Sequence, residues 1–144
     1  MRLLRGLLIA FVLGVPRCVR PLITVGRRLD KVTVLVDRQQ IKVRLVEIDA
    51  PEKAQAFGNR SKQSLFDLCF NKTATLADKG KDRYGRTLAR VYCDGVEANA
   101  EQVRRGMAWV YDRYAPRNSS LYGVQAEVKA ATRGMCQDAD AIPP

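Results

Sequence analysis

Val32, Val34 and Val36 alternate with Thr33 and Leu35, a polar Asp37-Arg38-Gln39-Gln40 stretch follows, and Ile41, Val43 and Leu45 then alternate with Lys42 and Arg44. Alternation of period two on both sides of a polar turn predicts a β-hairpin whose strands each turn one face to a core. Val46-Glu47-Ile48 carries the second strand on to Asp49-Ala50-Pro51, where proline, lacking an N–H, halts the ladder. Residues 22–25 can supply a strand upstream, and residues 73–77 and 87–93 two more, flanking the polar loop 78–85 and followed by an Asp94-Gly95 turn.

The period then changes. Asn59 can cap a helix running to about Phe70, with Leu65, Leu68 and Cys69 near one face. A short helix from Ala98 stops at Gly106, and a last one runs from Ser119 or Ser120 to Gly134 with Leu121, Val124, Val128 and Ala131 as its buried stripe. About five short strands and about three helices, with the helices interleaved late, predict an α+β fold in which a barrel is joined by helices. Trp109 lies on a strand-like stretch and reads as core or rim packing.

The 144 residues suit one domain, long enough to bury roughly 70% of the unfolded surface. Twenty-five Lys and Arg against fifteen Asp and Glu leave a net charge of +10, a field that gathers polyanions such as nucleic acid or an anionic membrane surface. The chain contains no histidine. That excludes Ser-His-Asp triads, Cys-His pairs, His-ligated zinc and any nuclease built on a His base. Acid and base work must fall to carboxylates, Lys, Tyr or Arg.

Arg2 and Arg5 precede an apolar run from Leu7 to Leu13. A basic start and about 10 apolar residues fit a secretory leader, because a bilayer span needs about 20. The expected division is a signal peptide over 1–21, with cleavage somewhere near 16–24, a folded domain over 22–138 and a flexible tail over 139–144, and the expected location is secreted or periplasmic. Cys18, Cys69, Cys93 and Cys136 allow three pairings in an oxidising compartment. Cys69 to Cys93, tying the end of a helix to the end of a strand, is preferred; Cys136 could reach Cys18 only if cleavage spares it, and buried free thiols are the alternative.

Three stretches carry candidate chemistry: Arg44-Leu45-Val46-Glu47-Ile48-Asp49-Ala50-Pro51-Glu52, then Asp82-Arg83-Tyr84-Gly85-Arg86, and Asp30 ahead of the hairpin. Singly, such residues are mostly solvated faces or surface ion pairs. Together, with Val103-Arg104-Arg105-Gly106-Met107-Ala108, they make residues 22–134 resemble the staphylococcal (micrococcal) nucleases, secreted phosphodiesterases on a five-stranded OB-fold barrel with three helices. The resemblance implies an endonuclease that hydrolyses DNA and RNA regardless of sugar and leaves 3′-phosphate ends.

It implies that Asp30 and Asp49, with the backbone carbonyl of Ala50, hold one calcium ion, a hard cation that takes six to eight oxygens in flexible geometry. Glu52 would activate or orient the attacking water, and Arg44 and Arg86 would grip the scissile phosphate. Arg83, Tyr84 and Tyr114 match positions that contact a terminal phosphate and the sugar or base. The expected partners are DNA and RNA as substrates, preferably single-stranded or unpaired, with no membrane in the mature form and the protein a monomer. Where the family presents Asp-Gly-Asp-Thr, this chain has Arg28-Leu29-Asp30-Lys31, so that a cation stands beside the proposed calcium ligand. Asp112 replaces a second tyrosine, and Met135-Cys136 stands where many members have an apolar residue and Trp. The competing reading is a catalytically silent OB-type module that only binds nucleic acid or a protein; such modules typically lose the arginine, glutamate and metal-carboxylate set that stands intact here.

Overall fold

A computed structural model describes residues 20–22, 31–36 and 39–138. Residues 1–19 of the expected leader, Cys18, the Leu29-Asp30 pair and the tail over 139–144 lie outside the described residues. The hairpin forms as the alternation predicts. Strand β1 (Arg20–Leu22) pairs antiparallel with β2 (Lys31–Val36), which pairs antiparallel with β3 (Gln39–Leu45), placing Lys31 opposite Arg44. β3 then runs parallel to β6 (Thr87–Cys93), with Arg44 opposite Leu88, and β6 pairs antiparallel with β5 (Ala74–Lys81) and β7 (Val96–Glu97). A second, two-stranded sheet joins β4 (Ile48–Asp49) to β8 (Trp109–Val110).

Three helices pack on this frame: α1 (Gly58–Cys69), α2 (Ala98–Arg104) and α3 (Leu121–Ala130). The inward residues of the strands, among them Val32, Val34, Val43, Leu45, Ala89 and Val91, form one core with Leu65 and Leu68 of α1, Val103 of α2 and Leu121 of α3. Trp109 is buried, in keeping with a packing role. The class is α+β, consistent with the expected OB-type fold, although among the described residues the six-stranded sheet does not close into a barrel. Cys69 and Cys93 form a disulfide between the end of α1 and the end of β6, both sulfurs fully buried. Among the described residues Cys136 has no disulfide partner.

Strand β1 lies at Arg20–Leu22 where residues 22–25 were expected. Gln39 and Gln40, expected in the turn, open β3, and β3 ends at Leu45 without running on to Asp49, because the chain turns at Val46-Glu47 and enters the second sheet. Three further boundaries differ, each for a local reason. Helix α1 starts at Gly58, so Asn59 lies within its first turn and caps nothing; a Cβ on Gly58 would collide with the Glu52 carbonyl, and packing against the 52–55 turn sets the helix start. Strand β5 runs to Lys81 through residues expected as loop, because its exposed end pairs with β6 across a bulge between Asp78 and Lys81.

Helix α3 ends at Ala130, four residues before Gly134. Thr132 takes the left-handed conformation at φ 50°, its N–H bonds to the Lys129 carbonyl, and the Arg133 N–H reaches back to Val128, a Schellman closure without glycine. Ala131 is therefore exposed. Gly134 serves another purpose: its Cβ, like one on Gly106, would strike the facing backbone, and this close approach lets the Met135 N–H bond to the Gly106 carbonyl at 2.9 Å and seats the buried Met135.

Candidate active site

The pleat of β3 decides which side chains leave the core. Val43 and Leu45 point inward and are buried, so Lys42 and Arg44 emerge on the other face. The Arg44 guanidinium lies 5.9 Å from the centre of the Tyr114 ring, and Arg113 stands 5.7 Å from the same ring. Tyr114 is held by a turn in which its N–H bonds to the Tyr111 carbonyl at 2.9 Å. Tyr114 is 59% exposed.

Arg86 enters from the loop between β5 and β6. Gly85, at φ 74°, completes a turn in which the Gly85 N–H bonds to the Asp82 carbonyl and the Asp82 N–H to the Arg86 carbonyl, both at 3.0 Å. The Asp82 carboxylate organises this loop. Its Oδ1 accepts the backbone N–H of Tyr84 at 2.9 Å and of Arg86 at 3.0 Å, and its Oδ2 accepts the Arg86 Nε–H at 2.6 Å. Burial alone would raise the Asp82 carboxyl, but these backbone and guanidinium donors outweigh it and hold it below its ordinary range. Since Nε of Arg86 faces Asp82, the terminal nitrogens remain for a ligand. Arg83 and Arg86 lie 4.8 and 5.3 Å from the centre of the Tyr84 ring, which is 67% exposed.

These two groups face each other across a cleft of about 1180 Å³. Arg44, Arg83, Tyr84, Arg86 and Tyr114, five residues singled out from sequence, line it together. Lys31, Lys42, Lys79 and Arg113 join them, giving seven cations against two carboxylates, Glu47 and Asp82. Both carboxylates are ion-paired, so the field in the cleft is strongly positive.

The other expected site residues stand apart. Asp49 ends β4 opposite Trp109, Ala50 is buried beside it, and Glu52 is exposed in the next turn, where its N–H bonds to the Gln55 side chain at 2.6 Å. None of the three lines the cleft. Asp30 lies outside the described residues. Among the described residues no three His, Cys, Asp or Glu side chains gather as a metal cluster. The donors of Asp49 and Ala50 are hard oxygens, neighbours in the chain, and their chemistry fits a hard cation.

Asp82 and Glu47 stand within the candidate stretches of the sequence, but sequence reasoning assigned neither a role. Asp82 was legible in principle, because an Asp two residues before Tyr84 and four before Arg86 is placed for an Asx turn. Lys42 also had a signal, lying two residues before Arg44 on the same strand face.

The family described as Staphylococcal nuclease homologue matches residues 42–138. The chain is 49% identical over 115 residues to an uncharacterized endonuclease of Haemophilus influenzae, covering 79% of this chain and 63% of that protein. It is 41% identical over 125 residues to a micrococcal nuclease of Shigella flexneri, covering 80% of this chain and 72% of that protein. A further uncharacterized endonuclease, from Escherichia coli, is 41% identical over 116 residues and covers 80% and 75%.

Proposed function

Because the chain belongs to the staphylococcal nuclease family, we propose that its cationic cleft is the active site of a calcium-dependent endonuclease that hydrolyses DNA and RNA to 3′-phosphate products. The observation that carries this reading is the meeting of Arg44 and Arg86 in one cleft beside two exposed tyrosine rings.

A phosphodiester gains charge on its equatorial oxygens as water adds in line, so catalysis consists of positioning and charge stabilisation. Arg44 and Arg86 supply positive charge and paired N–H donors to those oxygens. Asp82 orients Arg86 by its Nε edge. Glu52, exposed and acidic, activates or orients the attacking water; the P–O5′ bond breaks and the leaving 5′-oxygen takes a proton from solvent. Arg83 binds a further phosphate. Tyr84 and Tyr114 offer ring faces to bases, a contact indifferent to sequence and open only to unpaired bases, which supports a preference for single strands.

Asp30 and Asp49, with the Ala50 carbonyl, would hold one calcium ion. When bound, it supplies Lewis-acid polarisation of a phosphoryl oxygen and neutralises charge there. The basic, apolar amino-terminal stretch and the Cys69–Cys93 bridge support export to an oxidising compartment.

The test is digestion of end-labelled single-stranded DNA and of RNA with calcium and with a chelator, followed by analysis of the product termini. Cleavage of both polymers that calcium restores and that leaves 3′-phosphates supports the proposal. Products with 5′-phosphates, or cleavage indifferent to the chelator, would contradict it. A protein that binds the DNA in a salt-dependent way and never cuts it is the binding module instead.

A further inference from the structure

Glu47 lines the cleft, is only 9% exposed, and has no part in the mechanism above. Its backbone is left-handed, at φ 64°, a conformation that costs a non-glycine residue free energy unless the surroundings enforce it. What enforces it can be read from the bonds on each side. The Val46 N–H bonds to the Ala89 carbonyl at 3.1 Å, which prolongs the pairing of β3 with β6. The Tyr111 N–H then bonds to the Glu47 carbonyl at 2.8 Å, which opens the pairing of β4 with β8. Glu47 is thus the corner where the chain leaves one sheet for the other.

Arg44 lies just before this corner and Asp49 just after it. The same corner reaches Tyr114, because Tyr111 donates to Glu47 and in turn accepts the Tyr114 N–H, and the Tyr114 ring carries the Arg44 guanidinium. The side chain of Glu47 fastens the corner from below. Its two oxygens accept Arg90 Nε–H at 3.2 Å and an Nη2–H at 2.7 Å, and Oε2 also accepts the Ser119 hydroxyl at 2.6 Å. Arg90 completes its grip on Glu97 at 3.0 Å, so that β6, β7 and the entrance to α3 all converge on this carboxylate. The Asn99 side chain donates to the Val46 carbonyl at 2.8 Å and holds the residue before the corner.

We propose that Glu47, clamped by Arg90 and Ser119, is a positioning residue that fixes the corner between the strand bearing Arg44 and the strand bearing Asp49, and so sets the Arg44 guanidinium against the phosphate backbone of a nucleic acid. The inference rests on Arg44 being a phosphate-gripping residue. Glu47 itself touches no substrate; its carboxylate is spent on Arg90 and Ser119.

A thermodynamic cycle on binding tests it. Anisotropy of a labelled single-stranded deoxyoligonucleotide, in chelator so that nothing is cut, is measured for the natural protein, Arg44→Ala, Glu47→Gly and the double variant. Glycine accepts the left-handed corner, so Glu47→Gly removes the carboxylate without straining the backbone. Arg44→Ala is expected to weaken binding about tenfold in the natural background and less than about twofold once Glu47 is glycine, a coupling that independent sites do not show. Glu47→Gln, which keeps an acceptor for Arg90 and Ser119, should restore most of the Arg44 effect.

Equal losses from Arg44→Ala in both backgrounds would overturn the inference, as would an Arg44→Ala variant that binds as tightly as the natural protein. Should the glycine variant not fold, Arg90→Lys, which keeps the charge and loses the paired donors, enters the same cycle with the same two outcomes. Because the readout is binding, a chain that never cuts contradicts the nuclease reading alone and leaves the cycle to decide the role of Glu47.

Discussion

Asp82 holds Arg86 twice within one turn, its Oδ2 on the guanidinium Nε–H at 2.6 Å and its Oδ1 on the backbone N–H at 3.0 Å. The pair is mostly buried, with side chains 17% and 13% exposed for Arg86 and Asp82, so the guanidinium is set in place before any ligand arrives. Asp82→Ala should therefore lower kcat for cleavage about 100-fold, the cost of a slightly misplaced catalytic group, while the protein remains folded. Steady-state kinetics beside a thermal melt check this; a kcat within about threefold of the natural protein would mean that Arg86 needs no such support.

Glu47 predicts how stability responds to acid. Burial would raise its carboxyl, but hydrogen bonds from Arg90 and Ser119 and the charge of Arg90, with a smaller contribution from Lys79, outweigh burial and lower it below the ordinary 4.5. A lowered carboxyl contributes stability that is complete above its unfolded value and is lost as pH falls through the folded one. The melting temperature of the natural protein should exceed that of Glu47→Gln at pH 7, and the gap should narrow progressively as pH falls below 4.5. A gap that is constant down to pH 3 would contradict the ion pair as its source.

The Cys69–Cys93 bridge closes a loop of sequence separation 24. Constraint of the unfolded chain by a loop of this size is worth about 3 kcal/mol. Replacing both cysteines with alanine should lower the unfolding free energy in urea by about that amount, and reductant should do the same to the natural protein but not to the variant. Peptide mapping without reductant should recover both residues in one linked fragment.

Gly106→Ala should destabilise by about 2 kcal/mol or more, since it places a side chain at φ 67° and against the Arg133 carbonyl. Equilibrium unfolding measures it. Gly123, around which nothing lies within 4 Å of a would-be Cβ, is the control and should tolerate alanine.

Alternation of apolar residues made β2, β3 and β6 legible in the sequence; burial follows the pleat in β3 and β6, whereas in β2 Thr33 is buried along with Val32 and Val34. The exposed end of β5 was not, since Asp78 to Lys81 pair through their backbone with no apolar face to announce it. The end of α3 was misread because Thr132, not glycine, takes the left-handed position. Among site residues, Arg44, Arg83, Tyr84, Arg86 and Tyr114 were found through the family resemblance and meet in one cleft. The role of Glu47, a residue within the candidate stretch, was illegible for a different reason. Its role depends on Arg90 and Ser119, 43 and 72 residues away in the chain, and no local pattern reports so distant a partner.

The most direct measurement of the cleft's role is single-turnover cleavage of a single-stranded oligonucleotide, with calcium and saturating protein, by the natural chain and by Arg44→Ala, Arg86→Ala and Glu52→Gln. Losing a preorganised donor to the developing phosphate charge, or the group that manages the attacking water, costs about 100-fold to 1000-fold. Each substitution is expected to slow the cleavage step by that order while calcium-free binding of the oligonucleotide persists. Cleavage at the natural rate by the Arg44 and Arg86 variants would contradict the assignment of this cleft as the place where the phosphodiester is cut, and by the Glu52 variant the part given to Glu52 in managing the water.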